Sequence, residues 1–235
     1  MWAHVDTADY QAAMVGVAVA TAPGGPFTLV KTFRPHGRES RDLTLFQDDD
    51  GSAYLVYSSA GNKDLHVAAL TPDYRDVAPT FVAALPGRGR EAPAMVKAHG
   101  WYVLLTSGCT GWEPNAAEAH AARHPLSDAW TSLGAPAAGG PPAARARTFH
   151  SQPAFLLPAP GGREGEFVYG GDAWVRDDLA ASRYVWLPFW VLPPTRADPL
   201  PAAVLQWAPA WRLADLRRRP PRPVRAVGRL VDALA

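Results

Sequence analysis

The chain has 235 residues, of which 48% are hydrophobic and 19% charged, so it is long enough to bury one good core or two small ones. Its net charge is only +1, and residues 217–235 hold six Arg and one Asp, so the remaining chain is net acidic. This balance argues against a nucleic acid as the partner of the globular part.

The sequence predicts neither a membrane span nor a disulfide. Its longest apolar runs, residues 14–22 and 185–192, are shorter than the about 20 residues that a spanning helix needs. Cys109 is the single cysteine, which excludes an internal disulfide. The N-terminus carries Asp6 and Asp9 where a signal peptide would have basic residues.

The first 33 residues predict β-strands. Residues 2–5, 15–20 and 27–30 are extended or β-rich in character, and a Pro/Gly turn separates the last two at residues 22–26. This arrangement is typical of the second half of a unit whose first half is absent.

From residue 40 onward the chain repeats one layout three times. A polar residue opens a mostly apolar strand, a turn follows, and a strand led by an aromatic residue comes next. The openers are Asp42, Glu91 and Gln152. Two further strands complete the layout, so whole units are predicted at about residues 40–85 and 90–135. Four strands in such a repeat are typical of a propeller blade.

A third unit is predicted at about residues 150–192, with a longer second turn. Residues 203–207 and 211–213 are predicted to supply its closing strands. Residues 136–147, rich in Ala, Pro, Gly and Arg, predict a loop between units.

These patterns indicate an all-β fold in two parts. Residues 1–215 are predicted to form an incomplete β-propeller domain. Residues 216–235 form a basic tail rich in Pro and Arg, which we expect to be disordered.

The three openers are candidates for catalysis. The openers of inner propeller strands meet at one mouth of the ring, so we expect Asp42, Glu91 and Gln152 around one pocket. An inverting glycosidase needs a protonated carboxyl as acid and a second group that activates water. Glu91 is the candidate acid, and a nearby Asp42 would raise its pKa by like-charge repulsion. The alternative is that each acid is paired with its own Arg neighbour, Arg41 or Arg90, or with an Arg on an adjacent strand.

Aromatic residues suggest a flat ligand. Nine Trp are many for this length and favour either a Trp-rich core or stacking on sugars. Trp112 and Trp174 are each interpreted as a sugar platform or as a core anchor. Asn115 could hydrogen-bond to a sugar hydroxyl or cap a turn. The run from Asp48 to Gly51 resembles half a calcium loop but lacks its final Glu, so a hairpin turn is predicted.

Several stretches together resemble glycoside hydrolase family 43, in its exo-β-1,3-galactanase branch. They cover about residues 2–213, and the resemblance implies a five-bladed β-propeller. The stretches that carry it are Ser40-Arg41-Asp42, Arg90-Glu91-Ala92-Pro93-Ala94-Met95, Thr106 to Trp112 with Pro114-Asn115, Ser151-Gln152, and Ser182-Arg183-Tyr184-Val185-Trp186-Leu187-Pro188.

The resemblance also implies roles for individual residues. Glu91 matches the general acid, and Asp42 the residue that tunes its pKa and orients it. In the galactanase branch the role of base is ascribed to a Gln, and Gln152 falls on that position. The residues expected to bind substrate are Trp112, Asn115, Trp174, Arg41 and Asp172.

The sequence departs from the family at two places. In the family, a whole first blade and part of the second precede the position of Trp2. The chain is therefore expected to be an N-terminally truncated propeller, with activity in doubt, and an extracellular location is expected for the full-length member. His150 stands where this branch has Gly, which would narrow the pocket.

The predicted function is the hydrolysis of terminal galactosyl residues of β-1,3-galactan, with inversion. The alternative is a non-catalytic carbohydrate-binding propeller. The expected partner is a polysaccharide or oligosaccharide, with no nucleic acid, no membrane and a monomeric chain. No cofactor is required and no metal ligand is predicted, although an axial calcium ion stays open.

Overall fold

A computed structural model describes residues 1–217 as an all-β fold built from four separate sheets. The all-β prediction is confirmed. The two α-helices in this part of the chain have four residues each, and neither is long enough to cross a membrane. Most of the predicted tail lies outside the described residues. Its first residue, Leu216, is fully buried.

The first sheet is a three-stranded antiparallel meander. It contains β1 (Trp2–Val5), β2 (Met14–Val19) and β3 (Thr28–Phe33), paired in that order. These strands agree with those predicted for the first 33 residues.

The second sheet corresponds to the unit predicted at residues 40–85. Its antiparallel order follows the chain, through β4 (Leu43–Gln47), β5 (Ala53–Ser59), β6 (Asp64–Leu70) and β7 (Val77–Leu85). Every residue of β5 is buried, as expected for a strand with protein on both faces. The predicted hairpin turn joins β4 to β5, where the Gly51 N–H donates to the Asp48 carbonyl at 3.0 Å.

The third sheet corresponds to the unit predicted at residues 90–135. It runs through β8 (Arg90–Ala98), β9 (Trp101–Gly108), β10 (Glu118–Ala122) and β11 (Thr131–Gly134), again antiparallel and in chain order. The pairing of β8 with β9 shifts between Glu91 and Ala94, which marks a β-bulge near the start of β8.

The fourth sheet has five strands in the order β13-β14-β15-β16-β12. Its strands are β12 (Ala137–Ala138), β13 (Gln152–Pro158), β14 (Glu166–Ala173), β15 (Arg183–Leu192) and β16 (Ala202–Gln206). The short β12 lies parallel to β16, and the other pairs are antiparallel. Within β14, a Cβ at Gly170 would lie 2.2 Å from the Phe155 ring, so this position needs glycine.

Two local predictions in this region were wrong. Residues 136–147 are not only a loop, because they contain β12 and the helix α1 (Pro142–Arg145). Residues 211–213 do not form a closing strand but lead into α2 (Leu213–Leu216). In α2, Leu216 is buried beside Val204, and the Trp190 Nε1–H donates to its carbonyl at 3.1 Å. Tertiary packing therefore decides this segment rather than strand propensity.

The opening strands of the four sheets lie next to one another. Strand β13 contacts β8, β8 contacts β4, and β4 contacts β1. Buried aromatic residues of the sheets, among them Tyr57 and Tyr169, belong to the hydrophobic core clusters. This order brings the first residues of β4, β8 and β13 toward one region of the surface.

Candidate active site

The three predicted openers line a single cavity of about 450 Å³. Asp42 precedes β4, Glu91 is the second residue of β8, and Gln152 is the first residue of β13. The structure therefore brings together three side chains from three different sheets. The remaining lining residues are His4, Tyr10, Arg41, Asn62, Gly111, Trp112 and Trp174.

Glu91 is buried, and its carboxyl faces this cavity because of the bulge in β8. Ala92, the next residue, has a φ of +49°, which interrupts the regular strand there. The pKa of Glu91 is raised to about 7, first by burial and second by the charge of Asp42. Hydrogen bonds from the Cys109 thiol and the Thr110 backbone oppose this rise. Near neutral pH, Glu91 can therefore hold a proton and release it.

Arg90 does not neutralise Glu91. Its side chain donates to the Thr106 hydroxyl at 2.9 Å and to the Thr106 carbonyl at 2.7 Å. Its ion pair in the described structure is with Glu118, at 3.8 Å. Since successive strand residues point to opposite faces, Arg90 and Glu91 separate. The predicted alternative, in which each acid is paired with its neighbouring Arg, is not what the structure shows for Glu91.

Asp42 is held against the same bulge. Its Oδ2 accepts a hydrogen bond of 3.1 Å from the Ala92 backbone N–H. The carboxyl is open to the cavity but has protein on its other sides, and this burial raises its pKa. The side chain of the adjacent Arg41 lies 4.0 Å from Asp6 and 3.9 Å from Glu39, and it lines the cavity.

Gln152 is buried, and its amide orientation is set by one contact. Its Nε2 donates to the Gly111 carbonyl at 2.9 Å, which ties it to the loop that carries Trp112. Opposite it in the β13–β14 register stands Asp172. The pKa of Asp172 is raised to about 6, by burial and by the charge of Asp42. The two residues therefore place a neutral amide beside a carboxyl that also holds protons more strongly than usual.

Trp112 and Trp174 form one wall of the cavity. Their ring centroids are 5.2 Å apart with planes at 77°, an edge-to-face contact, and each residue is more than one third exposed. They also line a smaller adjoining cavity of about 200 Å³, together with Gln152, Asp172 and His150. His150 has a φ of +61°, a conformation that glycine adopts without strain.

Asn115 does not line these cavities. Its side chain accepts from the Gly108 N–H at 2.8 Å and donates to the Gly108 carbonyl at 2.7 Å and the Thr110 hydroxyl at 2.6 Å. Of the two roles considered for Asn115, this geometry favours bracing of the loop that carries Trp112.

Two neighbours of Glu91 were missed in the sequence. Asn62 lies in the turn between β5 and β6, and its Nδ2 donates to the Glu91 Oε2 at 3.1 Å. Cys109 follows β9, its Sγ donates to the Asn62 carbonyl oxygen at 3.4 Å, and the Glu91 charge contributes to its raised pKa. In the sequence, the one feature that could have indicated these neighbours is that each follows the aromatic-led strand of its unit, in two successive units.

The axial calcium ion left open by the sequence stays a prediction. Residues 1–217 contain no group of three or more His, Cys, Asp or Glu side chains arranged to hold a metal ion. No step below is routed through a metal.

A carboxyl that can hold a proton near neutral pH, beside a second polar group that can orient water, meets the requirement of glycoside hydrolysis, and exposed Trp rings suit a sugar ligand. The model of the family described as Glycosyl hydrolases family 43 matches residues 2–135. This is more than half of the chain, and the chain belongs to this family. The resemblance predicted from the sequence is confirmed, including its branch, by the solved structures to which the chain is similar.

Three solved structures show the relationship. The chain is 31% identical to the family 43 β-1,3-galactosidase BT3683, solved with galactodeoxynojirimycin, over 90% of this chain and 72% of that one, with a TM-score of 0.80. For the β-1,3-galactosidase BT0265 the identity is 37%, over 92% and 44% of the two chains, with a TM-score of 0.82. For the exo-β-1,3-galactanase of Phanerochaete chrysosporium with β-1,3-galactotriose, the identity is 36%, over 87% of this chain and 44% of that one, with a TM-score of 0.71. No curated protein sequence matches the chain.

Proposed function

We propose that the chain hydrolyses terminal galactosyl residues of β-1,3-galactan-type saccharides, with inversion at the anomeric carbon. The observation that carries the proposal is the Glu91 carboxyl, which is buried in the cavity beside Asp42 and has a pKa raised to about 7. The similarity to β-1,3-galactosidases and to an exo-β-1,3-galactanase supports the substrate class. The chain spans 72% of the first of these relatives and 44% of the other two.

Glu91 acts as the general acid. Cleavage of a glycosidic bond requires a proton on the leaving oxygen as the bond breaks. A carboxyl with an ordinary pKa would be ionised at neutral pH, whereas Glu91 keeps a protonated fraction there. Asp42 supports this role in two ways, because its charge raises the pKa of Glu91 and its hydrogen bond to Ala92 fixes the bulge.

Gln152 orients the attacking water. A neutral amide accepts a hydrogen bond from water but does not take its proton at neutral pH. The water therefore attacks a sugar that already has oxocarbenium-ion character, and the new hydroxyl loses its extra proton to solvent water after the C–O bond forms. The contact of Nε2 with Gly111 leaves the amide in one orientation, with Oε1 available as the acceptor.

The substrate is held by the Trp wall and by polar groups near it. One face of a sugar ring is apolar enough to stack on Trp112 or Trp174. Arg41 lines the larger cavity and Asp172 the smaller one, which supports their proposed roles as hydrogen-bond partners of sugar hydroxyl groups. Asn115 contributes indirectly, because it shapes the loop that carries Trp112. We expect the chain to bind such saccharides as a monomer.

We also infer that the four sheets are blades of the five-bladed β-propeller expected for this family. Their opening strands β1, β4, β8 and β13 lie side by side in that order. The residues at the starts of three of them line one cavity, as residues around a propeller axis do.

The test is the release of galactose from β-1,3-galactobiose and β-1,3-galactotriose. Replacing Glu91→Gln is expected to lower kcat about 10²–10⁴-fold, because proton transfer to the leaving oxygen is lost. Glu164→Gln is the matched control, since Glu164 is an exposed carboxylate that pairs with His99 away from the cavity. Full activity in Glu91→Gln would contradict the assignment of the acid. Binding of galactan by the wild type without release of galactose would instead support the carbohydrate-binding alternative.

A further inference from the structure

The carboxyl of Glu91 lies at a chain of contacts that joins two different sheets. Asn62, in the turn between β5 and β6, donates from Nδ2 to Glu91 Oε2 at 3.1 Å. Cys109, after β9, donates from Sγ to the Asn62 carbonyl oxygen at 3.4 Å, and the nearby Glu91 charge contributes to the raised pKa of its thiol. The three residues are therefore linked across the boundary between the second and third sheets.

The backbone around Asn62 is built to make this contact. Ala60, Gly61 and Asn62 have φ values of +52°, +64° and +62°, so the turn is left-handed at three successive residues. Asn is among the residues that tolerate this conformation best. The turn is tied to the third sheet by the Gly89 N–H, which donates to the Lys63 carbonyl at 3.0 Å. A strained turn joined in this way to the start of β8 holds the amide of Asn62 in place.

We propose that Asn62 and Cys109 are positioning residues for Glu91: the Asn62 amide donates to its carboxyl, and the Cys109 thiol from the neighbouring sheet holds the Asn62 backbone in place. This inference rests on the proposed function, because it assigns these residues to the acid of that reaction. Neither residue needs to touch the reacting atoms. Their effect is to select one orientation of the carboxyl and to set how readily it gives up its proton.

The charges around the Glu91 carboxyl define the direction in which its pKa should change when a donor is removed. Asp42 raises the pKa of Glu91, whereas Arg90, the Cys109 thiol and the Thr110 backbone N–H lower it. The other titratable groups lining the cavity are His4, Tyr10 and Arg41. In return, burial and the Glu91 carboxylate raise the pKa of Cys109 to about 11, so the thiol keeps its proton and remains a donor at neutral pH. Loss of either donor should therefore raise the pKa of Glu91 and free its side chain to rotate.

The first experiment measures the pH dependence of kcat/KM on β-1,3-galactobiose. Asn62→Gly removes the amide while allowing the left-handed backbone, and Cys109→Ala removes the thiol. Each is expected to move the alkaline limb to higher pH and to lower kcat about tenfold. Cys109→Ser keeps a donor and should restore most of the wild-type profile. Ala60→Gly is the control within the same turn. The proposal would be overturned if the alkaline limb of the kcat/KM profile and the kcat value were both unchanged in Asn62→Gly and Cys109→Ala.

The second experiment needs no catalysis. Cys109 is the single cysteine, so the rate of its alkylation by iodoacetamide against pH reports the ionisation of this thiol alone. In Glu91→Gln the thiol should ionise at lower pH and react several-fold faster at pH 8–9 than in the wild type or Glu164→Gln. Equal alkylation rates in the three proteins would contradict the proximity of Cys109 to Glu91, even if the enzyme is active. Faster alkylation in a chain whose wild type releases no galactose would support this proximity and refute the proposed function instead.

Discussion

Glu91 shows how a carboxyl obtains an unusual pKa from its surroundings. Burial and the nearby Asp42 both disfavour its charged form, and they outweigh the donors that favour it. Arg90 follows the strand alternation and bonds to Thr106 instead. A one-residue shift in β8 would place Arg90 at the cavity, so the register of this strand decides whether the site has an acid.

Replacing Asp42→Asn tests this electrostatic balance. Removal of the negative charge should lower the pKa of Glu91, so the acid would lose its proton at lower pH. The alkaline limb of kcat/KM on β-1,3-galactobiose is therefore expected to move down in pH by about one unit, with a lower rate at pH 7. An alkaline limb of the kcat/KM profile that stays at the same pH, or moves to higher pH, would show that Asp42 does not act on Glu91 through its charge.

Sequence reasoning reached some residues of the site and missed others, for a physical reason. Asp42, Glu91 and Gln152 share one phase of a repeat, and a repeat is visible in a single chain. Asn62 contacts Glu91, and Cys109 contacts Asn62, only because two sheets pack together, and no local pattern encodes those contacts. Asn115 was recognised in the sequence, but an Asn at this position allowed two roles, and only its hydrogen bonds in the structure distinguish them.

Strand β10 carries a buried histidine that should make the fold sensitive to acid. Both ring nitrogens of His120 are buried without a hydrogen-bond partner in the described structure. Burial lowers its pKa from 6.5 to about 4, although Glu118 at 3.7 Å opposes this. The unfolded chain therefore binds a proton between these values that the folded chain does not. The resulting stability is present above pH 6.5 and is lost as the pH falls toward 4, by on the order of 3 kcal/mol.

The measurement is the free energy of unfolding of the wild type and of His120→Leu by urea, at pH 7 and pH 4.5. The wild type is expected to lose more stability than the variant between these values, because only the wild type has this histidine to protonate. Raised carboxyl pKa values, such as that of Asp172, act in the opposite direction in both proteins and cancel in the comparison. The same loss in both proteins would contradict the assignment.

Elements differ in how well the sequence encodes them. The four-stranded sheets at residues 40–85 and 90–135 follow from alternating strands and Gly turns, which are local signals. The two-residue β12 exists only because it pairs with β16, far along the chain. The segment before Leu216 resembles a strand, yet burial of that side chain beneath the fourth sheet favours a helical turn. Long-range packing decides both cases.

The whole molecule matters for the site because its residues come from different sheets. Contacts between sheets fix their spacing, as where the Lys97 Nζ of β8 lies 2.5 Å from the Asp48 Oδ1 after β4. The Tyr102 hydroxyl of β9 donates to the same carboxylate. A propeller-like arrangement could be expected from the repeat, but the depth of the cavity between sheets could not, because it depends on how far apart they pack.

The account as a whole is tested most directly by the configuration of the first sugar released. Proton NMR can follow the methyl glycoside of β-1,3-galactobiose, whose blocked reducing end leaves the cleaved sugar as the one free galactose, during the first minutes of hydrolysis, before mutarotation equilibrates the anomers. With Glu91 as acid and a water held by Gln152, α-galactose should appear first, and Glu91→Gln should release almost none. The initial appearance of β-galactose, or galactose release that is unchanged in Glu91→Gln, would contradict it.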